Sequence, residues 1–466
     1  MSKTHKFSRR HFLQATGLGS LLLGASRLGA APAITSGRAK AKNLIFLVVD
    51  GMTNGTLAAT NTWLNKTQDR DSQWMHLYSD AVARRSLMET HSASSIVTDS
   101  AAASSSWGGG KRIPNRRINV DADGKELTPL YTYGRQAGKK LGLVTTARIT
   151  HATPAGFATN VIHRDMEDDI AEQYLQREVD VLLGGGSRHF DPAKRKDGKD
   201  VFAQARKQDY TVVRTRDELA QTRKAKGKLL GTFSNSHVPY MIDRLHDSEI
   251  DRVTPSLEEM MTVALDRLKG SKEGFLLQVE AGRVDHAAHN NDPAAILPEQ
   301  MEFDRCIALG RRFAEENEDT LVIVTTDHGT GGFVVNGYGH DYNLSTPMFM
   351  RLGKTRHSYE YLADNAPKDA TPGELRRQLV ENWGMEPSDQ LQDQMEQAFR
   401  AWQGDPQLLG IYLRNPLYDY YAVNWTTHNH TGDLVELATW GPGSEAIPAY
   451  LENWQLHHVI RDVMAL

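Results

Sequence analysis

The chain has 466 residues, of which 39% are hydrophobic and 24% are charged, and its formal net charge is -4. These proportions are typical of a globular protein of enzyme size. Beyond the first residues there is no basic stripe, so we do not expect nucleic acid as a partner.

Residues 1–33 have the pattern of an export signal. Arg9 and Arg10 form a basic start, a short apolar stretch follows, and residues 31–33 read Ala-Pro-Ala. The paired arginines indicate the twin-arginine type. A membrane anchor is the weaker alternative, because the apolar run is short and contains several glycines and an arginine. We therefore expect cleavage after Ala33, a periplasmic or secreted protein and no membrane anchor.

Short apolar runs rich in β-branched residues predict five strands. They span residues 43–49, 141–146, 179–185, 274–280 and 320–326. The runs are apolar on both faces, as central parallel strands tend to be. Helical patterns lie between them. The predicted fold is therefore α/β, with a mostly parallel sheet covered by helices on both faces.

Two helical patterns are informative. Residues 257–268 repeat apolar side chains at helical spacing, Ser256 and Glu259 form a capping box, and Gly270 is expected to end the helix. A second pattern contains Cys306, the single cysteine, which we expect to be buried and unreactive. An exported protein without disulfides has to be stabilised by its core or by bound ions.

Residues 345–425 differ in composition from the rest of the chain. They are rich in Arg, Glu, Gln and Asp and contain Trp383, Trp402 and a YDYY cluster at 418–421. We interpret this segment as a largely helical insertion over the sheet.

Three of the predicted strands end in acidic residues. Asp50 ends FLVVD, Glu280 ends LLQVE, and Asp327 and His328 end VIVTTDH. The carboxyl ends of parallel strands meet at one edge of the sheet, where ligands bind. A single acidic strand end is most often a turn or a helix cap. Three of them, one beside a histidine, favour a metal site.

Two later motifs also carry metal-ligand residue types. In VEAGRVDHAAH, Asp285 and His289 are four residues apart, so on a helix they share a face and can bind one zinc ion. A solvated polar turn is the alternative. In TTHNHTGD, His428 or His430 can complete that site. His340, in GHDY, is interpreted as a surface residue.

The motif VTDSAAAS contains Ser100. Thr98 and Asp99 can cap a helix whose free N–H groups favour an anion. A serine hydroxyl is a poor nucleophile by itself, but bound zinc would hold it as an alkoxide. A plain N-cap is the alternative. Neither the G-x-S-x-G elbow nor a P-loop occurs.

Together these motifs resemble alkaline phosphatases. VVDGM, VTDSAAAS, ITHATPAGFATNVIHR, VEAGRVDHAAH, TTDHGTGG and HNHTG occur in the order seen in that family. The similarity covers roughly residues 43–345 and 426–440 and is to bacterial members. It implies one alkaline-phosphatase-like domain over residues 34–466, hydrolysis of phosphate monoesters through a phosphoserine, and a homodimer.

The resemblance implies a role for each matching residue. Ser100 matches the nucleophile, and Arg164 matches the arginine that binds two phosphate oxygens, with Asp99 orienting it. Two zinc ions and one magnesium ion per chain are implied. The ligands of the first zinc match Asp285, His289 and His430. Those of the second zinc match Asp50, Asp327 and His328. Those of the third ion match Asp50, Thr153 and Glu280.

Two residues depart from well-known bacterial members. His151 stands where those carry Asp, and His286 stands where they carry Lys. Both positions lie near the third ion and the phosphate in the family, so we expect both histidines to bind substrate. They leave the third ion open between magnesium, zinc and cobalt. The segment 345–425 matches nothing assigned and could form a crown over the site or a dimer contact.

Three other functions are weighed against this one. A sulfatase is excluded because Ser100 is followed by Ala101 and Ala102 instead of the C/S-x-P-x-R pattern. A phosphodiesterase of the same superfamily stays open, although Arg164 favours monoesters because its planar fork needs two unsubstituted oxygens. A non-catalytic metal- or phosphate-binding protein also stays open, but every expected side chain is present.

Overall fold

The computed structural model describes residues 40–366, 370–384, 388–402 and 404–466. The predicted export signal, residues 1–33, lies outside the described residues. Among the described helices, none combines the length and the apolar character that crossing a bilayer requires.

The described residues contain fourteen strands and nineteen α-helices. The strands are β1 (Asn43–Val49), β2 (Arg84–Glu89), β3 (Lys140–Arg148), β4 (Val181–Gly185), β5 (Tyr210–Val213), β6 (Lys228–Thr232), β7 (Phe275–Ala281), β8 (Thr320–Thr326), β9 (Gly329–Thr330), β10 (Val334–Val335), β11 (Val423–Asn424), β12 (His430–Thr431), β13 (Val435–Trp440) and β14 (Tyr450–Glu452). The helices are α1 (Asn54–Gln68), α2 (Gln73–Ser79), α3 (Ser100–Gly109), α4 (Leu130–Gln136), α5 (Ala152–Ala158), α6 (Glu167–Gln176), α7 (Val201–Lys207), α8 (Arg216–Gln221), α9 (Met241–His246), α10 (Ser248–Val253), α11 (Leu257–Leu268), α12 (Arg283–His289), α13 (Pro293–Glu316), α14 (Ser345–Phe349), α15 (Tyr359–Asn365), α16 (Pro372–Trp383), α17 (Asp389–Trp402), α18 (Pro406–Tyr421) and α19 (Gln455–Met464).

Ten strands form one central sheet in the order β14-β2-β13-β8-β1-β7-β3-β4-β6-β5. In this sheet β13 runs antiparallel to both neighbours, and the other strand pairs are parallel. The predicted mostly parallel sheet is therefore confirmed. The predicted strands at 43–49 and 320–326 coincide with β1 and β8. The other three differ from β3, β4 and β7 by one or two residues at one or both ends.

Strand β1 shows why the central strands are apolar on both faces. Ile45, Leu47 and Val49 belong to one buried cluster, together with residues of α11 and α13. Leu44, Phe46 and Val48 belong to a second cluster, with residues of α3, α5 and α19. Successive side chains of a strand point to opposite faces, so helices cover both faces of the sheet. Each fully buried aliphatic side chain contributes roughly 1.5–3 kcal/mol to this packing.

Helix α11 begins and ends close to its predicted bounds. The Ser256 side chain accepts from the Glu259 amide, and the Glu259 carboxylate accepts from the Ser256 amide, which is the predicted capping box. The helix ends at Leu268 with Lys269 as its right-handed C-cap, so the expected role of Gly270 is wrong. The Lys269 amide already donates to the Leu265 carbonyl, so no left-handed glycine is needed there.

The segment 345–425 is largely helical, as predicted, because α14 to α18 lie within it. Its buried residues, such as Leu379, Trp383 and Leu413, belong to the same apolar cluster as Ile45 of β1. The insertion therefore shares the core of the sheet. Cys306 is fully buried in α13, and burial raises the pKa of its thiol.

Candidate active site

The acidic strand ends lie together at one edge of the sheet. Strands β8, β1 and β7 are neighbours, and their parallel register pairs Val48 with Glu280 and Val49 with Thr326. Asp50 directly follows β1, and Asp327 directly follows β8. All three carboxylates are almost completely buried. The grouping predicted from the strand ends is therefore what the fold produces.

His328 connects two of these carboxylates with the Ser100 hydroxyl. Its Nε2 atom lies 3.1 Å from Asp327 Oδ2 and 3.5 Å from Asp50 Oδ1. The same nitrogen lies 3.3 Å from Ser100 Oγ. Gly51 and His328 donate their amides to Asp327 Oδ1, which leaves Oδ2 facing the cluster.

Ser100 is the first residue of helix α3, and Asp99 is its N-cap. Asp99 Oδ1 accepts from the Ala102 amide at 3.0 Å, which fixes the start of the helix. Asp99 Oδ2 accepts from Arg164 Nη1 at 3.1 Å. The plain capping role therefore belongs to Asp99. The buried Ser100 hydroxyl is not used as a cap and faces His328 instead.

A second set of side chains comes from α12 and β12. His289 Nε2 lies 3.0 Å from His430 Nε2 and 3.4 Å from Asp285 Oδ2. Asp285 and His289 share one face of α12, as their spacing predicted. His289 Nδ1 donates to the His428 carbonyl at 2.6 Å, and His430 Nδ1 donates to the Thr98 carbonyl at 2.8 Å. Both Nε2 atoms therefore keep a lone pair, and both lie beside Asp285, where one metal ion could bind them.

This donor set fits bound cations. Three groups have ligand atoms within 4.8 Å of one another: Asp285 with His328 and His430, Asp50 with His151 and Glu280, and Asp50 with Asp327 and His328. His328 and Asp50 each occur in two of these groups, so the groups overlap, and together they suit more than one ion at this edge of the sheet.

The carboxylate oxygens that have no hydrogen-bond partner also indicate bound cations. In the described part of the chain, Asp50 Oδ1, Glu280 Oε1 and Asp327 Oδ2 are buried and make no hydrogen bond. Such orphaned acceptors are costly without a partner. Burial and the neighbouring carboxylates raise the pKa of Asp50, and burial raises the pKa of Glu280 to about 7. Cations at this edge would satisfy the oxygens and neutralise the carboxylates.

The remaining predicted ligand, Thr153, lies at the start of α5. Its hydroxyl donates to Asp50 Oδ2 at 3.5 Å. Glu280 is oriented by a hydrogen bond from the Thr145 hydroxyl. Thr145 was not predicted, although it lies in the predicted strand 141–146 at the same sheet edge.

Two more unpredicted residues support Asp285. Thr330 Oγ1 donates to Asp285 Oδ1 at 2.6 Å and lies 3.2 Å from His328 Nδ1. Gly51 has φ of 72°, and a Cβ atom there would lie 2.6 Å from Asp285 Oδ1. Only glycine allows that approach without strain. The signals were present in the sequence as the Gly of VVDGM and the Thr-Gly step of TTDHGTGG.

The predicted substrate-binding residues lie beside this cluster. Arg164 Nη2 donates to His151 Nε2 at 3.0 Å. Burial and the charge of Arg164 lower the pKa of His151 to about 3, so the imidazole is neutral and can accept. His286 Nδ1 accepts from Arg283 Nη1 at 3.0 Å, and burial lowers the pKa of His286 as well.

Two histidines left open by the sequence are now located. His340 is fully exposed and pairs with Asp341, away from the cluster. His428 contributes its backbone carbonyl to His289, and no described metal-ligand group includes its side chain.

Comparison with known proteins agrees with this geometry. The family model for alkaline phosphatase matches residues 41–466. The crystal structure of Thermus thermophilus alkaline phosphatase is 32% identical, has a TM-score of 0.86, and covers 95% of this chain and 95% of its own. Alkaline phosphatase 4 of Bacillus subtilis is 28% identical over 436 residues, which is 92% of this chain and 89% of the relative. The alkaline phosphatase of Schizosaccharomyces pombe is 30% identical over 440 residues, which is 90% of this chain and 80% of the relative.

The match runs through the described sheet, and carboxylate and imidazole groups suited to metal ions lie at its carboxyl edge. The chain belongs to the alkaline phosphatase family and catalyses metal-dependent hydrolysis of phosphate monoesters.

Proposed function

We propose that Ser100 is the nucleophile and that a phosphoserine forms on it. The observation that carries this proposal is the position of its buried hydroxyl, 3.3 Å from His328 Nε2 and free of a capping role. In the first step Ser100 Oγ attacks phosphorus, and the bond from phosphorus to the alcohol oxygen breaks. The electron pair leaves with that oxygen, which takes up one proton, and this balances the proton that the Ser100 hydroxyl loses as it bonds to phosphorus. Water then attacks the phosphoserine, releasing inorganic phosphate and restoring the hydroxyl.

Three sets of residues would hold the ions. Asp285, His289 and His430 would bind one zinc ion. Asp50, Asp327 and His328 would bind a second zinc ion. Asp50, Thr153 and Glu280 would bind magnesium. Mixed imidazole and carboxylate ligands suit zinc, whereas oxygen ligands suit magnesium. When bound, such ions neutralise the carboxylates and lower the pKa of a nearby hydroxyl or water.

The tautomer of His151 supports magnesium at the third set. Its Nε2 accepts from Arg164, so in a neutral ring the proton is on Nδ1. A protonated Nδ1 has no lone pair for a metal. Zinc or cobalt bound through His151 would require the ring to give up its bond with Arg164.

Arg164 would bind two phosphoryl oxygens of the substrate. Each terminal guanidinium nitrogen has two N–H groups. One from Nη1 goes to Asp99 and one from Nη2 goes to His151, so one N–H on each nitrogen remains. That pair matches two unsubstituted oxygens, which a monoester has available beside the oxygen facing the ions. His151 and His286 would line the same phosphate site.

We also propose export and dimerisation. The Arg9–Arg10 signal would direct the chain through the twin-arginine route to the periplasm or beyond, with cleavage after Ala33. The mature chain, residues 34–466, would form one catalytic domain with 345–425 as a crown-like part, and would act as a homodimer. Amino-terminal sequencing of the exported protein and light scattering test these points.

The test of the proposed nucleophile is Ser100→Ala. We expect turnover of a monoester to fall by roughly a thousandfold or more, because the covalent step is lost. Metal content and melting temperature should stay near those of the parent. Ser106→Ala, in the same helix, is the matched control, since the Ser106 hydroxyl donates to the Ala102 carbonyl of its own helix. Undiminished turnover by Ser100→Ala would rule out this nucleophile.

A further inference from the structure

Three histidines form a compact cluster beside Arg164. The ring centroids of His151 and His286 are 5.6 Å apart, and those of His151 and His237 are 5.7 Å apart. His237 and His286 are in contact, with centroids 4.1 Å apart. His237 follows strand β6 in the motif NSHVPY and belongs to none of the metal-ligand groups among the described residues.

Each of these rings accepts a hydrogen bond from a different arginine. The pairs are Arg164 with His151 Nε2, Arg283 with His286 Nδ1, and Arg148 with His237 Nε2. The backbone amide of Arg148 also lies 3.3 Å from His237 Nδ1, but a neutral imidazole accepts on one nitrogen only, so the bond to Nε2 puts the proton of His237 on Nδ1. A guanidinium can only donate, so the accepting nitrogen is unprotonated and the ring is neutral. Each arginine is in turn paired with a carboxylate. These carboxylates are Asp99 for Arg164, Glu360 for Arg283 and Glu167 for Arg148.

Of the three arginine–carboxylate pairs, the pair of Arg148 and Glu167 beside His237 makes the most hydrogen bonds. Glu167 accepts from Arg148 Nε at 2.8 Å and from Arg148 Nη2 at 2.7 Å. It also accepts from Thr150 Oγ1 at 2.7 Å. Such a two-pronged pair fixes the plane of the guanidinium, and with it the direction from which Arg148 meets His237.

The backbone of the His237 loop is held equally closely. The Val238 amide donates to the Thr146 carbonyl at 2.9 Å. A Cβ atom on Gly185, at the end of β4, would lie only 2.1 Å from the Ser236 carbonyl oxygen. The glycines at the end of β4 therefore let this loop lie against the sheet, with the His237 ring beside that of His286.

We propose that His237 is a positioning residue for phosphate binding: anchored by Glu167 and Arg148, its ring holds His286 in the orientation that meets the substrate phosphate. The inference rests on the proposed substrate-binding role of His286. His237 itself does not touch the phosphate in this proposal.

Chemistry favours this role over simple packing. An aliphatic side chain or a phenyl ring at position 237 would fill the same space. It would, however, leave the buried Arg148 N–H without an acceptor. With Nδ1 of His286 taken by Arg283, its neutral ring carries the proton on Nε2, a donor suited to a phosphoryl oxygen. A ring free to turn would present that N–H only part of the time, which weakens binding.

A double-mutant cycle tests the proposal in the metal-loaded enzyme. His237→Phe and His286→Ala are made singly and together, and kcat, KM and the inhibition constant of inorganic phosphate are measured with 4-nitrophenyl phosphate. Because the proposed contact acts through His286, we expect each single variant to lose roughly tenfold or more in kcat/KM. The double variant should be no worse than His286→Ala alone. His237→Gln, which keeps an acceptor for Arg148, should recover much of the loss.

Several results would overturn the proposal. They are losses that multiply in the double variant, no recovery in His237→Gln, or His286→Ala with unchanged kinetic constants. His237→Asn is run in the same cycle, so a folding failure of the Phe variant does not decide the result. His457→Asn, another buried histidine, is the control and should leave the kinetic constants unchanged. Turnover by Ser100→Ala would show that Ser100 is not the nucleophile. The double-mutant cycle of His237 and His286 could still be interpreted in that case.

Discussion

The Nε2 atoms of His289 and His430 lie 3.0 Å apart, although the Nδ1 atom of each ring donates to a backbone carbonyl. With both protons on Nδ1, two lone pairs point at each other beside Asp285. Like partial charges at this distance repel, unless a cation lies between them. Backbone carbonyls from distant segments thus fix the tautomers that metal ligation requires.

Metal removal should therefore destabilise the fold as well as abolish activity. Ions that bind only the folded chain add about 4 kcal/mol at a thousandfold excess over the dissociation constant. We expect chelation to lower the melting temperature and zinc with magnesium to restore it, as followed by calorimetry. An unchanged melting temperature after metal loss is verified by elemental analysis would contradict this.

Replacing one histidine at a time should distinguish a metal ligand from a nearby histidine whose side chain does not bind metal. His430→Ala is expected to lose zinc and activity, because it removes a nitrogen ligand from the Asp285 set. His428→Ala keeps the backbone carbonyl that orients His289 and should keep both. Elemental analysis of the two purified variants provides the comparison. Equal metal content would argue against this ligand set.

The two guanidinium donors of Arg164 predict how the preference between monoesters and diesters changes when this residue is replaced. Arg164→Lys keeps the positive charge but loses the planar pair of donors. We expect kcat/KM for a monoester to fall roughly ten- to a hundredfold, as hydrogen bonds to charged groups are worth 1.5–3 kcal/mol. A diester, which has one fewer free oxygen, should lose less. Parallel losses for both substrates would contradict bidentate binding.

Gly51→Ala should disturb the Asp285 site through the backbone. The new Cβ atom would lie 2.6 Å from Asp285 Oδ1 and has to adopt a φ near 72°. We expect weaker zinc binding and a loss of stability above 1 kcal/mol. Gly124→Ala is the matched control, because φ is 80° there and, apart from the two adjacent residues, no atom of the described chain lies within 4 Å of the new Cβ. It should keep normal zinc content, measured side by side; equal zinc loss in both variants would count against the steric explanation.

Glu299 should make stability depend on pH. It is buried in α13, accepts from the Met241 amide at 2.6 Å, and its Oε2 atom has no hydrogen bond among the described residues. Burial and the charge of Glu302 raise the pKa of Glu299 to about 8, against 4.5 ordinarily. The folded state therefore keeps a proton that the unfolded chain releases, and stability falls as pH rises from about 4.5 to about 8.

The variant Glu299→Gln should remove that dependence. Its advantage in unfolding free energy over the parent should grow by at most about 1.4 kcal/mol per pH unit across this window. Denaturant unfolding at several pH values, with metals saturating, measures it. The half-exposed Glu258→Gln is the control. Parallel pH profiles for parent and Glu299→Gln would show that Glu299 is ionised in the fold.

The sequence identified the buried strands better than the edge of the sheet. Strand β1 is apolar throughout because both faces are covered, so its run of residues was unmistakable. Strand β2 alternates exposed and buried residues and carries Arg84 and Arg85, so it lacked that signal. The antiparallel β13 also escaped prediction, since pairing between distant segments leaves no local pattern.

The same reasoning explains which site residues were found. Asp50, Glu280 and Asp327 were found because each lies at the end of an apolar run. Thr145 and His237 were missed because their contacts are with residues far away in the sequence. Thr145, for example, donates a hydrogen bond to Glu280, which is 135 positions away. Such contacts depend on strand order, which the sequence shows only indirectly.

The most direct test is to trap the covalent intermediate. The metal-loaded enzyme is mixed with excess phosphate monoester, quenched in acid during turnover, and digested for mass spectrometry. We predict one phosphoryl group on the peptide that contains Ser100, and none in Ser100→Ala. Covalent phosphate on a different residue, or sustained turnover by Ser100→Ala, would contradict the phosphoserine mechanism.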